Sequence, residues 1–442
     1  MGKLNDDVHV PRSALSWTNV NTWKNLNSVC EGVFDCPHTT PKLTETGPFV
    51  VRSQDIRTGI FRTDLAARVS ESTYIERIER AEPREGDLLF SREGTYFGIA
   101  AEVPARVRVC LGQRMVLIRP NDKLLNSTFL RYWINSPLMA GHIAGFKDGS
   151  VAERLNMPTI RGLPVPLLDR KAQDSIAGTL LALDQKIELH RRMNETLEAQ
   201  ARALFRDWFV DFGPVRAKMA GEAPYLVPDL WSLFPDHLDG GCVPEGWKLA
   251  PLTAHFDIIG GGTPKTSIVE YWNGPIPWFS VVDTPSASDV FVFETEKTIT
   301  PEAVANSSAR IVRAGTTIIS ARGTVGNLAM AAQDMTFNQS CYALQGLSGA
   351  SDAFVYLAAQ HMVDRLRSMA HGSVFSTITR KTFESLSLVY PGKALHEAFH
   401  ERVSPLFAKI RANVAENLTL AQTRDLLLPK LMSGEIRVQE ST

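Results

Sequence analysis

Two stretches of the chain space their seam residues by alternating threes and fours. Leu180, Leu183, Ile187, His190, Asn194, Leu197, Ala201, Leu204 and Trp208 make the first series. Val403, Leu406, Ile410, Asn413, Asn417, Leu420, Arg424, Leu427 and Leu431 make the second, at a constant offset of 223 residues. Such a step is the a/d seam of a heptad and belongs to a long helix that packs on another helix. The pattern predicts long helices over 168–212 and 393–433. With a rise of about 1.5 Å per residue, the stretch from Lys171 to Phe209 would be roughly 58 Å long, too long for the core of a small domain. Asn194 and Asn417 stand at equivalent a-type positions. Either they are buried amides that disfavour slipped registers, or both lie at a solvated edge of the seam.

Ahead of each helix, short apolar runs end in glycine turns, and their order repeats. Thr40-Pro41-Lys42 is matched by Thr263-Pro264-Lys265, Gly47-Pro48 by Gly274-Pro275, and Asp55 by Asp283. A strand from Gly86 to Ser91 running into Gly94-Thr95 is matched by Gly315 to Ser320 running into Gly323-Thr324. Gln113 and Gln339 follow, then helices opening near Phe129 and Phe354, then Gly149-Ser150-Val151 and Gly372-Ser373-Val374. An internal duplication governs the whole fold and so takes precedence over local assignments. The expected class is α+β, with two pseudo-repeated α/β domains (17–167 and 247–392), each followed by a long coiled-coil helix. A segment 1–16 precedes them and a tail 434–442 follows. Between the copies, 213–246 carries Pro214, Pro224, Pro228, Pro235, Pro244, Gly240 and Gly241, which predicts an ordered connector that cannot continue the helix.

Composition changes this picture little. The chain of 442 residues is 44% hydrophobic and 21% charged, as expected of a globular protein of two domains. No apolar run reaches the roughly 18 residues of a membrane span, and Met1 to Trp17 lacks the apolar stretch of a signal peptide, so a cytosolic location without membrane contact is expected. Five scattered cysteines suggest neither a disulfide framework nor a structural zinc site. The net charge of −1 does not by itself point to nucleic acid. Residues 20–165 hold 19 Lys and Arg against 16 Asp and Glu, and residues 248–390 hold 10 against 11, so any basic surface must be local.

His396-Glu397-Ala398-Phe399-His400 has the spacing of a zinc-protease helix. The repeat argues against that reading, because neither imidazole has a counterpart at the 223-residue offset, where Gln173 and Ala177 stand. The glycine run Gly260 to Gly262 before Thr263-Pro264-Lys265 lacks the glycine that directly precedes the lysine of a phosphate loop. No nucleophile elbow or dinucleotide turn is present. No catalytic residue and no metal site is therefore expected. What remains is a set of polar residues on glycine-supported loops, suited to close approach of a ligand. In the first copy they are Lys42, Arg52, Arg92, Thr95, Gln113, Lys147, Ser150 and Arg154. In the second they are Lys265, Ser280, Arg322, Thr324, Gln339, Ser373, Arg380 and Lys381. Arginine on guanine and glutamine on adenine are common base contacts, while Lys, Ser and Thr often position phosphates. Each residue taken alone is equally compatible with a solvated loop.

Several segments resemble the specificity subunits of type I restriction-modification enzymes. They include Phe205-Arg206-Asp207-Trp208-Phe209-Val210-Asp211-Phe212-Gly213-Pro214, Leu233-Phe234-Pro235-Asp236, Pro244-Glu245-Gly246-Trp247, Trp278 to Asp283 and Ile319 to Gly326. The ending Leu428-Pro429-Lys430-Leu431-Met432-Ser433-Gly434-Glu435-Ile436 belongs with them. The resemblance implies two target-recognition domains, each reading one half of an asymmetric, bipartite double-stranded DNA site, held apart by the two long helices, which would run antiparallel. It implies a non-catalytic chain that docks two modification (adenine methyltransferase) subunits, with restriction (translocase-nuclease) subunits joining that core. S-adenosylmethionine, ATP and Mg would then belong to the partners, with no cofactor on this chain. The opening of the first copy, Trp23 to His38, lacks the three glycines of the second. The rival reading is a non-catalytic protein-binding scaffold, two adaptor domains on a coiled-coil rod.

Overall fold

A computed structural model describes residues 8–11, 14, 17, 20, 22–57, 59–94, 96–146, 154–240, 242–285, 289–347, 349–371 and 377–437. They divide into two compact units, one within 1–185 and 420–442, the other within 186–419.

In the first unit, Cys30–Asp35, Met115–Pro120, Leu88–Ser91 and Ala100–Glu102 form an antiparallel sheet in that order. Ala67–Val69, Leu43–Val51 and Val109–Leu111 form a second sheet, in which the last two strands run parallel. Thr22–Asn25 pairs with Pro164–Leu167. The second unit repeats this plan. Phe256–Gly260, Cys341–Gly346, Thr317–Ser320 and Leu328–Ala331 are antiparallel in order, with Phe291–Val292 added in parallel at the edge. Thr298–Ile299, Trp272–Phe279 and Thr336–Phe337 reproduce the mixed sheet, and Lys248–Pro251 pairs with Ser387–Tyr390.

The inner strands Leu88–Ser91 and Thr317–Ser320 are buried along their whole length because both of their faces are covered. Successive side chains of a strand point to opposite faces. Leu88 and Phe90 accordingly enter one core and Leu89 another. Ile319 and Ile318 divide between two cores in the same way.

The two long helices are Arg170–Phe209 and Lys393–Ser433. Within the second unit they run antiparallel: Nδ1 of His190 lies 2.9 Å from Oδ1 of Asn417, and Nδ2 of Asn413 donates to Oδ1 of Asn194 at 2.8 Å. At the 223-residue offset His190 corresponds to Asn413 and Asn194 to Asn417, so these two contacts are one contact generated twice by the duplication. The paired asparagines therefore have different surroundings: Asn194 is buried, at 1% exposure, and Asn417 is half-buried. Ile187 and Ile410 are buried in the seam, and Leu183, Leu197, Leu406 and Leu420 are half-buried. In the first unit, Asp184 accepts from Nη1 of Arg424 at 2.8 Å and from the Tyr132 hydroxyl at 2.5 Å. Leu428, Leu431 and Met432 complete that unit's core.

The connector carries short helices of its own. The long helix does stop at Phe209, and Phe212 takes a left-handed conformation with φ 53°. A new helix, Gly213–Met219, then begins at once, followed by a short one at Pro228–Trp231. Pro214 and Pro228 sit in first turns, where a missing N–H breaks no helical hydrogen bond. A Cβ at Gly213 would fall 2.0 Å from Oδ1 of Asp207, so any larger residue there would displace that side chain. The connector packs on the end of the long helix: Tyr225 donates to Asp207 at 3.0 Å, and Phe234 meets Trp208 edge-on at 5.3 Å. No helix among the described residues is long and apolar enough to cross a membrane.

Candidate nucleic-acid interface

The polar loops of each unit gather at one end of its sheets, joined by matching backbone hydrogen bonds. In the first unit Gly112 N–H donates to the Val51 carbonyl (2.7 Å), Arg92 N–H to Arg114 (3.1 Å) and Leu155 N–H to Arg92 (2.9 Å). In the second, Asn338 N–H donates to Phe279 (2.8 Å), Ala321 N–H to Ser340 (2.7 Å) and Ile378 N–H to Ala321 (3.1 Å). Loops far apart in sequence thus share one rigid frame in each unit, which is how irregular segments are commonly positioned for binding.

Several residues singled out from sequence support this frame with their side chains. The Thr40 hydroxyl bonds Oε1 of Gln113 at 3.2 Å, and Nε2 of Gln113 donates to the His38 carbonyl at 3.0 Å. Thr263 bonds Oε1 of Gln339 in the same manner. Both glutamines therefore tie the Thr-Pro-Lys loop to the sheet end. Arg52 donates through Nε and Nη2 to the two oxygens of Asp55, each at 2.9 Å, and this hydrogen bonding raises its pKa. Asp55 itself is 1% exposed. Ser280 donates through its N–H and hydroxyl to Oδ2 of Asp283 at 2.7 and 2.9 Å. Arg52 and Ser280 so anchor equivalent short turns. Nη1 of Arg92 lies 2.7 Å from Oδ1 of Asp35, and Nη1 of Arg380 donates to the Ile258 carbonyl at 3.3 Å. Lys42, Lys265, Arg322, Thr324 and Lys381 stand exposed around these frames. Thr95, Lys147, Ser150 and Ser373 lie outside the described residues.

In the first unit, His38, Arg92, Glu93, Gln113, Arg114 and Arg154 line a polar pocket of about 190 Å³. His38 and Arg114 were not expected from sequence. Nε2 of His38 lies 3.3 Å from Oδ2 of Asp35, so one carboxylate steadies both His38 and Arg92. Arg114 escapes the repeat comparison because its counterpart, Ser340, carries no charge.

The zinc-protease spacing does not assemble a site. His396 is 2% exposed and packed among Phe209, Phe354 and Tyr390, whereas Glu397 and His400 are exposed. Among the described residues, Asp35, Cys36 and His38 come close enough together to share a metal ion. Both oxygens of Asp35 already face Arg92 and His38, and burial pushes the Cys36 thiol up, away from the thiolate a metal needs. That group fits a positioning role better than a metal site.

Comparison with known proteins gives the assignment. The family model described as the type I restriction modification DNA specificity domain matches residues 41–199 and 244–418. The specificity subunit of the type I restriction enzyme HindI from Haemophilus influenzae is 26% identical over 405 residues, spanning 80% of this chain and 87% of that one. The MjaIX specificity subunit from Methanocaldococcus jannaschii is 24% identical over 421 residues, spanning 92% and 88%. The crystal structure of a type I restriction-modification S subunit from M. genitalium shares the fold, with a TM-score of 0.54 at 15% identity over 98% of this chain and all of that one. With both of its repeated units matched by the family model, the chain belongs to the type I restriction-modification DNA specificity family.

Proposed function

We propose that this specificity subunit reads a bipartite, asymmetric double-stranded DNA site, one half with each repeated domain, and docks two modification subunits along its long helices. The observation that carries this reading is the pair of loop clusters. Both units use the same backbone hydrogen bonds to frame them, yet they present different side chains, such as Arg114 against Ser340 and Arg92 against Ala321. One frame with two sets of contacts suits two different half-sequences. The chain itself is non-catalytic in this scheme. Adenine methylation with S-adenosylmethionine, and ATP- and Mg-dependent translocation and cleavage, belong to modification and restriction subunits. Affinity purification of the tagged chain from its host tests the partnership. An adenine methyltransferase should be retained in stoichiometric amount, and its absence from a soluble, folded preparation would contradict the docking role.

A further inference from the structure

Arg114 combines three features that the frame alone does not require. First, its backbone is left-handed, with φ 74°. A non-glycine residue seldom adopts that conformation, and such outliers cluster where a side chain must be aimed. Second, it carries an exposed guanidinium, 53% accessible, whose Nε lies 3.3 Å from Oε1 of Glu93. An ion pair on Nε leaves the two Nη groups at the far end of the fork pointing away from their anchor. Third, the pocket it lines sets Arg92, Arg114 and Arg154 against the single carboxylate of Glu93, so its electrostatics favour an electron-rich partner. Arg92 is 15% exposed and held by Asp35, which leaves Arg114 the more accessible donor.

A paired acceptor edge matches such a fork. Guanine presents O6 and N7 side by side in the major groove, and bidentate arginine is the commonest specific contact to it. Phosphate oxygens can be held by the same donors, but there a lysine still supplies a point charge, whereas it cannot reproduce the paired contact to a base edge, so Arg114→Lys separates the two. Resting on the half-site reading above, we infer that Arg114 reads a guanine in the half-site bound by the first domain, with Glu93 as its positioning residue. Ser340, at the equivalent place in the second domain, provides no such contact, so the two halves differ at this point.

The test replaces the chromosomal copy with Arg114→Gly and, separately, Arg114→Lys, and maps methylated adenines in each host. Glycine suits the left-handed backbone, so the first variant should fold at least as stably as the wild type, which thermal unfolding checks. Lysine keeps the charge and loses the fork. Both variants should leave one half-sequence and the spacer unchanged and relax one guanine in the other half, giving about fourfold more modified sites if one base pair loses its identity. In duplexes bound by the purified complex, discrimination at that base pair should fall by roughly tenfold or more. An unchanged motif in both variants would overturn the role of Arg114 while leaving the specificity reading intact. A motif kept by Arg114→Lys, with affinity lost uniformly in Arg114→Gly, would make the contact one to phosphate and also overturn it. Methylation abolished in both folded variants would assign Arg114 to assembly. A wild-type host without any bipartite motif would instead overturn the half-site reading itself.

Discussion

Asn194 and Asn413 meet in the helix seam through one hydrogen bond of 2.8 Å, and both are nearly inaccessible. Removing one partner strands the other amide, which costs about 1–3 kcal/mol, whereas removing both can be close to neutral. Asn194→Leu should therefore destabilise the chain by about that amount, and Asn194→Leu with Asn413→Leu should recover most of the loss. Chemical denaturation of the single and double variants measures the coupling, and additive effects would contradict the pairing. His396 gives a second residue-level expectation. Burial, and then the nearby His255, holds its pKa down to about 4, from 6.5 in the unfolded chain. The unfolded chain thus takes up a proton that the folded chain refuses. The contribution to stability is complete above about pH 6.5 and declines as pH falls towards 4, by about 3 kcal/mol in all. His396→Leu should flatten the pH dependence of unfolding in that window, and an unaltered slope would contradict the assignment.

The long helices were readable from sequence because a heptad seam is a strong periodic signal. The partner of each polar seam residue was not. Spacing equates Asn194 with Asn417, while the antiparallel arrangement places Asn194 against Asn413 and Asn417 against His190. A heptad pattern fixes which face is buried and leaves the partner of each polar residue open. The connector shows the same limit: prolines that end one helix also open Gly213–Met219 and Pro228–Trp231. Among the candidate contacts, Gln113 and Gln339 were found by their place in the repeat. Their bonds to Thr40 and Thr263 span 73 and 76 residues, so only folding reveals that they brace loops. The antiparallel register also yields a prediction about spacing. Seven residues inserted at paired positions in both helices, between His190 and Asn194 and between Asn413 and Asn417, would add about 10 Å of helix. At about 3.4 Å per base pair, the unread spacer should lengthen by about three base pairs with both half-sequences unchanged. A spacer of the original length in an active variant would contradict the idea that the helices set it.

For the molecule as a whole, the duplication accounts for more than composition does. A net charge of −1 leaves little overall electrostatic drive towards DNA, so on the proposed reading partner subunits would supply part of the phosphate neutralisation. The frames around Gln113 and Gln339 supply what charge does not, namely two sets of loops positioned alike and furnished differently. On the proposed reading, these sets read separate halves of one DNA site. The most direct measurement is a map of methylated adenines in hosts with and without this gene, extended to a chain whose residues 247–392 are replaced by the corresponding domain of a relative. The intact gene should produce one motif of two unlike half-sequences around an unread spacer, absent from the deletion strain, and the exchange should alter one half alone. A motif unaffected by deleting the gene, or one altered in both halves by the exchange, would contradict the account.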